Sequence, residues 1–285
     1  MGTKRASRKS LRAGRPPTTK KTPAISRRAT KAAINSHHQL EKKKTQAINR
    51  GDHIAAEALS REISALGGIT KYQQASLQGQ REDRGGDSSR VLMEWLKPVV
   101  SDLKSRPLRM LEVGALSTNN ACSKSGCFEI ERIDLNSQGE GILQQDFMER
   151  QQPKNEEGRF DIISLSLVLN YVPDYRQRGN MLLRTLDFLR LPTVSNPTLD
   201  SSFPSLFLVL PEPCISNSRY LDEKRLEDIM RSLGYEKAKS KATRRLVYYL
   251  WKRTRDMPAF IPDYLKKEIH RGSSKNNFSI VLQTL

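Results

Sequence analysis

The chain has 285 residues, of which 28% are charged, and its net charge is +18 at pH 7. No segment approaches the roughly 18 consecutive apolar residues of a transmembrane helix, and no apolar stretch follows the charged N-terminus as in a secretory signal. These features exclude an integral membrane protein and a secreted one from the expected classes.

Three cysteines, Cys122, Cys127 and Cys214, are sparse and odd in number. They indicate a reduced compartment and not a disulfide scaffold. Cys122 and Cys127 have the spacing of half a zinc site, but no second Cys or His pair completes it, so we predict no metal.

The positive charge lies mainly at the N-terminus. Residues 1–50 contain 15 Lys and Arg and one acid, which leaves 49 − 15 = 34 basic and 31 − 1 = 30 acidic residues for the rest of the chain. Residues 1–35 have few large apolar side chains and predict a disordered basic tail. Such a tail binds phosphate backbones or carries import signals at Lys20-Lys21 and Arg27-Arg28. Both interpretations predict a nuclear or nucleolar protein.

Residues 36–100 predict a helical region that forms a lid. Apolar residues recur at helical spacing over 36–66, and Gly67-Gly68 ends that pattern. A shorter helix is predicted over 72–80, a loop over 81–86 and a further helix over 90–100.

Residues 101–285 predict a domain in which strands and helices alternate. The predicted strands are 109–113, 129–134, 142–145, 160–165, 205–210, 245–252 and 278–283. The predicted helices occupy parts of 117–124, 175–190 and 221–233. This alternation predicts an α/β fold with a seven-stranded, mostly parallel sheet and helices on both faces.

Polar residues follow the predicted strands where a parallel sheet binds its ligands. Gly114 ends the first strand and would let the backbone approach a ligand, and Asp134, 20 residues later, is placed to bind ribose hydroxyls. Asp146 and Phe147 are placed to hydrogen-bond and cover an adenine. The alternatives are an ordinary turn at Gly114, an Asx turn at Asp134, a turn cap at Asp146 and a core ring at Phe147. The series favours an adenosine-containing cofactor.

Several of these segments together resemble a group of Rossmann-like methyltransferases. The matching segments are 72–80, 84–89, 111–120, 133–137, 145–147 and 166–173. The group contains the fungal enzyme that methylates N1 of an adenine in large-subunit (25S) rRNA and its animal relative, an S-adenosylmethionine sensor upstream of TOR signalling. Leu116 and Thr118 depart from the glycines of a full G-x-G-x-G loop.

The resemblance spans about residues 70–285 and implies a Rossmann-like methyltransferase fold with S-adenosyl-L-methionine as cofactor. It implies rRNA or a preribosomal particle as partner, and methylation of an adenine N1 during ribosome biogenesis. The alternatives are a non-catalytic S-adenosylmethionine sensor that binds a protein complex, and a methyltransferase that acts on a protein or on another RNA position. The basic tail favours the RNA-directed enzyme. The oligomeric state stays open.

The resemblance also implies roles for individual residues. Ser166 would touch the cofactor past the fourth strand, or start a helix. Arg84 would hold the cofactor carboxylate across the lid, or be a solvated charge. Asn170 and Tyr171 would line the base pocket, with Tyr171 as a core ring in the other interpretation. Further pocket candidates are 211–214 and 217–220. Lys and Arg within 237–275 would hold backbone phosphates, or form a solvated face.

Overall fold

The computed structural model describes residues 27–68, 86–137, 139–192, 202–256, 258 and 260–283. Its helices are α1 Arg27–Asn49, α2 His53–Ala65, α3 Ser89–Leu96, α4 Val100–Ser105, α5 Ala121–Ser125, α6 Tyr175–Phe188, α7 Pro213–Ser216 and α8 Glu223–Ser232. Its strands are β1 Leu108–Val113, β2 Phe128–Asp134, β3 Leu143–Gln144, β4 Ile162–Ser166, β5 Ser205–Pro211, β6 Tyr235–Ala242 and β7 Leu246–Arg253. Within these ranges no helix is long and apolar enough to cross a membrane.

The seven strands form one sheet in the order β3-β2-β1-β4-β5-β7-β6. β1 to β5 pair in parallel, whereas β7 is antiparallel to both β5 and β6. The predicted seven-stranded, mostly parallel sheet is therefore confirmed. All parallel strands end on the same side, which we call the carboxyl end of the sheet.

Helices cover both faces of the sheet. Alternate side chains of each strand point to opposite faces, so Leu111 belongs to the core under α6 and α8, while Met110 belongs to the core under α3 and α5. The C-terminal segment shares the first face. There the carbonyl oxygen of Val281 would lie 1.9 Å from a Cβ at position 179, so only glycine allows this close approach to α6.

The seventh strand differs from the prediction. Residues 278–283 form no strand; they are a buried extended segment, in which the amide of Val281 donates to the carbonyl of Tyr175. The seventh strand of the sheet is instead β6, which is not among the predicted strands. Its lysine-rich sequence forms an edge strand, and most of its residues are exposed. A run of apolar residues indicates that a segment is buried, but it does not show that the segment pairs with a strand. The apolar pattern alone therefore assigns the seventh strand to the wrong segment.

The N-terminal helices also differ from the prediction. α1 begins at Arg27, so the prediction of disorder is wrong for residues 27–35, and residues 1–26 lie outside the described ranges. The predicted pattern over 36–66 is two helices, because Gly51 has a φ of 73° and Asp52 caps α2. The helix predicted over 72–80 falls outside the described residues as well.

Candidate active site

The turn after β1 requires glycine at position 114. Its φ is 72°, in the left-handed region, and its amide donates to the carbonyl of Ile133 at 2.8 Å. A Cβ at this position would lie 2.6 Å from Cγ2 of Val168, in the loop after β4. Gly114 therefore brings the ends of β1 and β4 into close contact at the carboxyl end of the sheet.

Two carboxylates occupy the ends of the neighbouring strands. Asp134 is the last residue of β2, and its Oδ1 accepts from the amide of Asn136 at 2.8 Å. Asp146 follows β3, and its Oδ1 accepts from the amide of Met148 at 2.7 Å. Both alternative turn roles are thus observed. A carboxylate accepts about four hydrogen bonds, so these turns orient the two groups and leave capacity for a ligand.

The Phe147 ring lies in the core and is not available to a ligand at the carboxyl end of the sheet. It is 2% exposed, and its centroid is 5.3 Å from that of Phe188. This corrects the prediction that the ring covers an adenine, because a ring enclosed by α6 has no face left for a ligand. The backbone amide of Phe147, by contrast, has no hydrogen-bond partner in the described part of the chain.

The loop after β4 begins with an unusual backbone conformation. Ser166 ends the strand, and its hydroxyl lies 2.7 Å from that of Ser88, just before α3. Leu167 then has a φ of 58°, which is uncommon for a residue with a side chain. Its amide donates to the carbonyl of Val209 in β5 at 2.9 Å. The loop is therefore fixed on both sides at the point predicted to touch the cofactor.

Asn170 and Tyr171 follow in the same loop. Both residues are half-buried, and the amide of Tyr171 donates to the carbonyl of Val168 at 2.8 Å. The Oδ1 atom of Asn170 is buried and has no hydrogen-bond partner among the residues that the structure describes. An unpaired buried acceptor costs about 1–3 kcal/mol. Such an atom in the loop after β4 is a candidate acceptor for an incoming hydrogen-bond donor.

Arg84 lies outside the described residues, so its predicted contact stays a prediction. The chain that follows it is anchored at the same end of the sheet by Asp87. The Asp87 carboxylate accepts from the amide of Ser89 at 2.9 Å and also from the amide of Ala121 at the start of α5. Sequence reasoning missed this link, because nothing in the spacing of residues 87 and 121 shows that they meet.

Glu112 is a second feature that sequence reasoning missed. Its Oε1 accepts from the Asn120 side chain at 2.8 Å, and its Oε2 lies 3.7 Å from Nε of Arg132. Burial raises the pKa of Glu112 to about 7, against the opposing effects of Asn120 and Arg132, and Asp87 raises it further. A charged residue inside the apolar strand β1 was the signal available in the sequence.

Comparison with known proteins identifies the family. The family described as 25S rRNA (adenine(2142)-N(1))-methyltransferase, Bmt2, matches residues 57–280. The chain belongs to this family. A 25S rRNA adenine-N(1) methyltransferase of Schizosaccharomyces pombe is 40% identical over 253 residues, which is 87% of this chain and 89% of that protein.

A second member of the family is similar over nearly the same length. The 25S rRNA (adenine(2142)-N(1))-methyltransferase of Saccharomyces cerevisiae is 35% identical over 252 residues, which is 86% of this chain and 70% of that protein. Among solved structures, the 16S rRNA methyltransferase RmtF in complex with S-adenosyl-L-homocysteine aligns with 81% of this chain and all of that one, at 14% identity and a TM-score of 0.43.

Proposed function

We propose that this chain transfers the methyl group of S-adenosyl-L-methionine to N1 of an adenine in large-subunit rRNA. The observation that carries the proposal is the convergence of Gly114, Asp134, Asp146 and Ser166 at the carboxyl end of the sheet, in a member of a 25S rRNA adenine-N1 methyltransferase family. Ligands of open α/β sheets bind at this end.

The residues at the strand ends fit the adenosine part of this cofactor. The Asp134 carboxylate, oriented by its turn, would accept from the ribose hydroxyls. The Asp146 carboxylate and the unpartnered amide of Phe147 form an acceptor beside a donor. That pairing matches the exocyclic amine and the ring nitrogen next to it on an adenine edge. Ser166 lies beyond the close contact of Gly114 and Val168, where the methionine part would follow.

The reaction needs alignment more than it needs acid–base groups. When bound, the cofactor supplies a sulfonium with an electrophilic methyl group. Adenine N1 attacks through its own lone pair, so the protein has to hold the two partners in line and exclude water. N1 lies on the Watson–Crick edge, so the base must leave its helix before it reacts.

Asn170 and Tyr171 are the residues that we propose for the base pocket. The unpaired Oδ1 of Asn170 would accept from the exocyclic amine of the adenine, which orients N1 toward the methyl group. Tyr171 follows in the same half-buried loop and offers a ring for stacking. We further propose that the protein acts in the nucleolus on rRNA or a preribosomal particle, as supported by the basic residues ahead of α1.

The decisive experiment is nucleoside mass spectrometry of large-subunit rRNA from cells with and without this gene. N1-methyladenosine should be lost with the gene and restored by the wild-type chain. Asp134→Ala should restore less than the wild type, because it removes the ribose acceptor. Glu129→Gln is the matched control, since it changes an exposed acid on the same strand, and it should restore the modification fully.

An unchanged level of N1-methyladenosine in cells without the gene would contradict the proposal. The non-catalytic S-adenosylmethionine sensor would then be the better interpretation. Calorimetry with S-adenosylmethionine and the purified chain distinguishes the two failures, because a sensor still binds the cofactor.

A further inference from the structure

Two basic segments lie together at the carboxyl end of the sheet. The first is the hairpin of residues 243–245 between β6 and β7. β7 is antiparallel to both β5 and β6, so this hairpin lies where β5 ends, and Pro211 pairs with Leu246 in the register. The amide of Glu212 donates to the carbonyl of Arg245 at 2.8 Å, which joins the hairpin to the exit of β5.

The hairpin is a well-supported turn and not a loose loop. The amide of Thr243 donates to the carbonyl of Leu246 at 2.8 Å, and the amide of Leu246 donates to the Thr243 hydroxyl at 3.0 Å. Arg244 and Arg245 are nevertheless exposed. Two guanidinium groups are therefore presented to solvent from a fixed backbone beside the exit of β5.

The second segment comprises residues 264–276. Nδ2 of Asn276 donates to the carbonyl of Pro213 at 2.6 Å, and the amide of Asn276 donates to the carbonyl of Asn217 at 2.9 Å. The segment thus crosses the loop that follows β5. Residues 212 and 213, adjacent in the chain, hold the two basic segments side by side.

The charge of these two segments is almost entirely positive. We use the name basic rim for Arg244, Arg245, Lys266, Lys267, Arg271 and Lys275. The single acid in the same two segments is Glu268, which lies 4.0 Å from Arg219 outside them. Arg244, Lys267, Arg271 and Lys275 form no ion pair with the part of the chain that the structure describes.

Two lysines of β6, by contrast, are neutralised within the protein. On β6, Lys237 is paired with Glu223 at 2.9 Å, and Lys241 is paired with Glu94 at 2.7 Å. β6 is an edge strand, and lysines on edge strands ordinarily prevent the strand from pairing with another chain. The basic rim differs from them, because Arg244, Lys267, Arg271 and Lys275 have no acidic partner among the described residues.

Lys266 is held at the surface by aromatic rings. Its ammonium lies 4.5 Å from the ring centre of Tyr220 and 5.2 Å from that of Tyr175, the first residue of α6. α6 starts just after the loop that contains Asn170 and Tyr171. The rim therefore borders the proposed base pocket.

We propose that the basic rim binds the phosphates of the RNA strand that flanks the target adenine. The inference rests on the proposed function for its substrate, and it adds the surface that holds this substrate. An extruded base leaves the adjoining backbone at the mouth of its pocket, and Lys and Arg bind such phosphates without reading sequence. The rim would fix the strand while the pocket selects the base.

The test uses the full chain and an in vitro transcript of large-subunit rRNA. One variant combines Arg244→Gln with Arg245→Gln, and a second combines Lys267→Gln, Arg271→Gln and Lys275→Gln. The matched control combines Lys104→Gln with Arg106→Gln, two exposed basic residues ahead of β1 at the opposite end of the sheet. RNA affinity is measured over a series of salt concentrations, together with kcat and KM for the transcript.

Each rim variant should raise KM for the transcript about tenfold and leave kcat and cofactor affinity unchanged. The hairpin variant should also lower the slope of log affinity against log salt by about 1.5–2, since each phosphate contact contributes about one unit or slightly less. A variant with Arg244→Lys and Arg245→Lys should stay close to wild type, because it keeps the charges. The control variant should match the wild type.

The outcomes separate this proposal from the proposed function. If the wild-type chain methylates the transcript and the rim variants have an unchanged KM and salt slope, the proposed role of the basic rim would be overturned and the proposed methyltransferase function would be retained. If the wild-type chain does not methylate the transcript, but the rim variants still reduce the salt slope of RNA binding, the proposed function would be overturned and the RNA-binding surface would be retained. A hairpin variant that binds cofactor normally is folded, so its RNA affinity reports on the rim.

Discussion

Glu112 shows how a single buried carboxyl couples folding to pH. In the unfolded chain this group titrates near 4.5, whereas burial raises its pKa in the folded protein to about 7. Between these values the folded state holds a proton that the unfolded state has released. Stability therefore falls as the pH rises through this window, by roughly 3 kcal/mol.

The Glu112→Gln variant should remove this pH dependence. The amide keeps an acceptor for Asn120 but has no proton to lose, so urea unfolding of the variant should change less between pH 4.5 and pH 7 than that of the wild type. Glu129→Gln, on an exposed position, serves as the control. Parallel stability curves for wild type and Glu112→Gln would contradict the buried, proton-binding role.

Asp134 combines a turn and a proposed ligand contact, and two variants separate them. Asp134→Ala should weaken cofactor binding by about 1–3 kcal/mol, through loss of hydrogen bonds to a charged acceptor. Asp134→Asn retains an acceptor for the amide of Asn136 and should preserve the turn. Calorimetry measures the cofactor affinity of both variants, and an unchanged dissociation constant in Asp134→Ala would count against the ribose contact.

At the scale of elements, the contact between the β1 turn and the β4 loop limits what position 114 tolerates. Gly114→Ala should lower the free energy of unfolding by about 2 kcal/mol, because alanine is strained at positive φ and its Cβ meets Val168. Val168→Ala removes the Cγ2 atom with which the new Cβ would clash. In a double-mutant cycle the pair should recover about 1 kcal/mol, and full additivity would show that the clash is absent.

The elements also differ in how well their sequences predict them. β1, β4 and β5 are recognisable because central parallel strands are largely buried on both faces and therefore mostly apolar. β6 has one partner strand and exposes most of its side chains, so its lysines conceal it. Residues 278–283 have the apolar composition of a strand because they are buried against α6, although they belong to no strand of the sheet and form only one isolated bridge, between Leu282 and Tyr264.

At the scale of the whole molecule, the basic N-terminus and the folded domain are expected to act separately. Residues 1–26 contain eight Lys and Arg and no acid, and α1 begins directly after them. Deletion of these residues should reduce nuclear accumulation and the salt slope of RNA binding, while cofactor affinity stays unchanged. Fluorescence microscopy and calorimetry measure these effects, and unaltered localisation together with unaltered RNA affinity would exclude a role for the tail.

The sequence by itself determined the α/β class, the residues at the strand ends and the family. These properties depend on local patterns, since the run of apolar residues before Gly114, and the one before Asp134, can be read without knowing the rest of the fold, and the structure places both residues at the ends of paired parallel strands. Only the tertiary structure decided which segments meet. It placed the ring of Phe147 in the core, left Oδ1 of Asn170 unpaired, and brought the β6–β7 hairpin and residues 264–276 together beside β5. Contacts between residues far apart in the chain depend on packing, which no local spacing encodes.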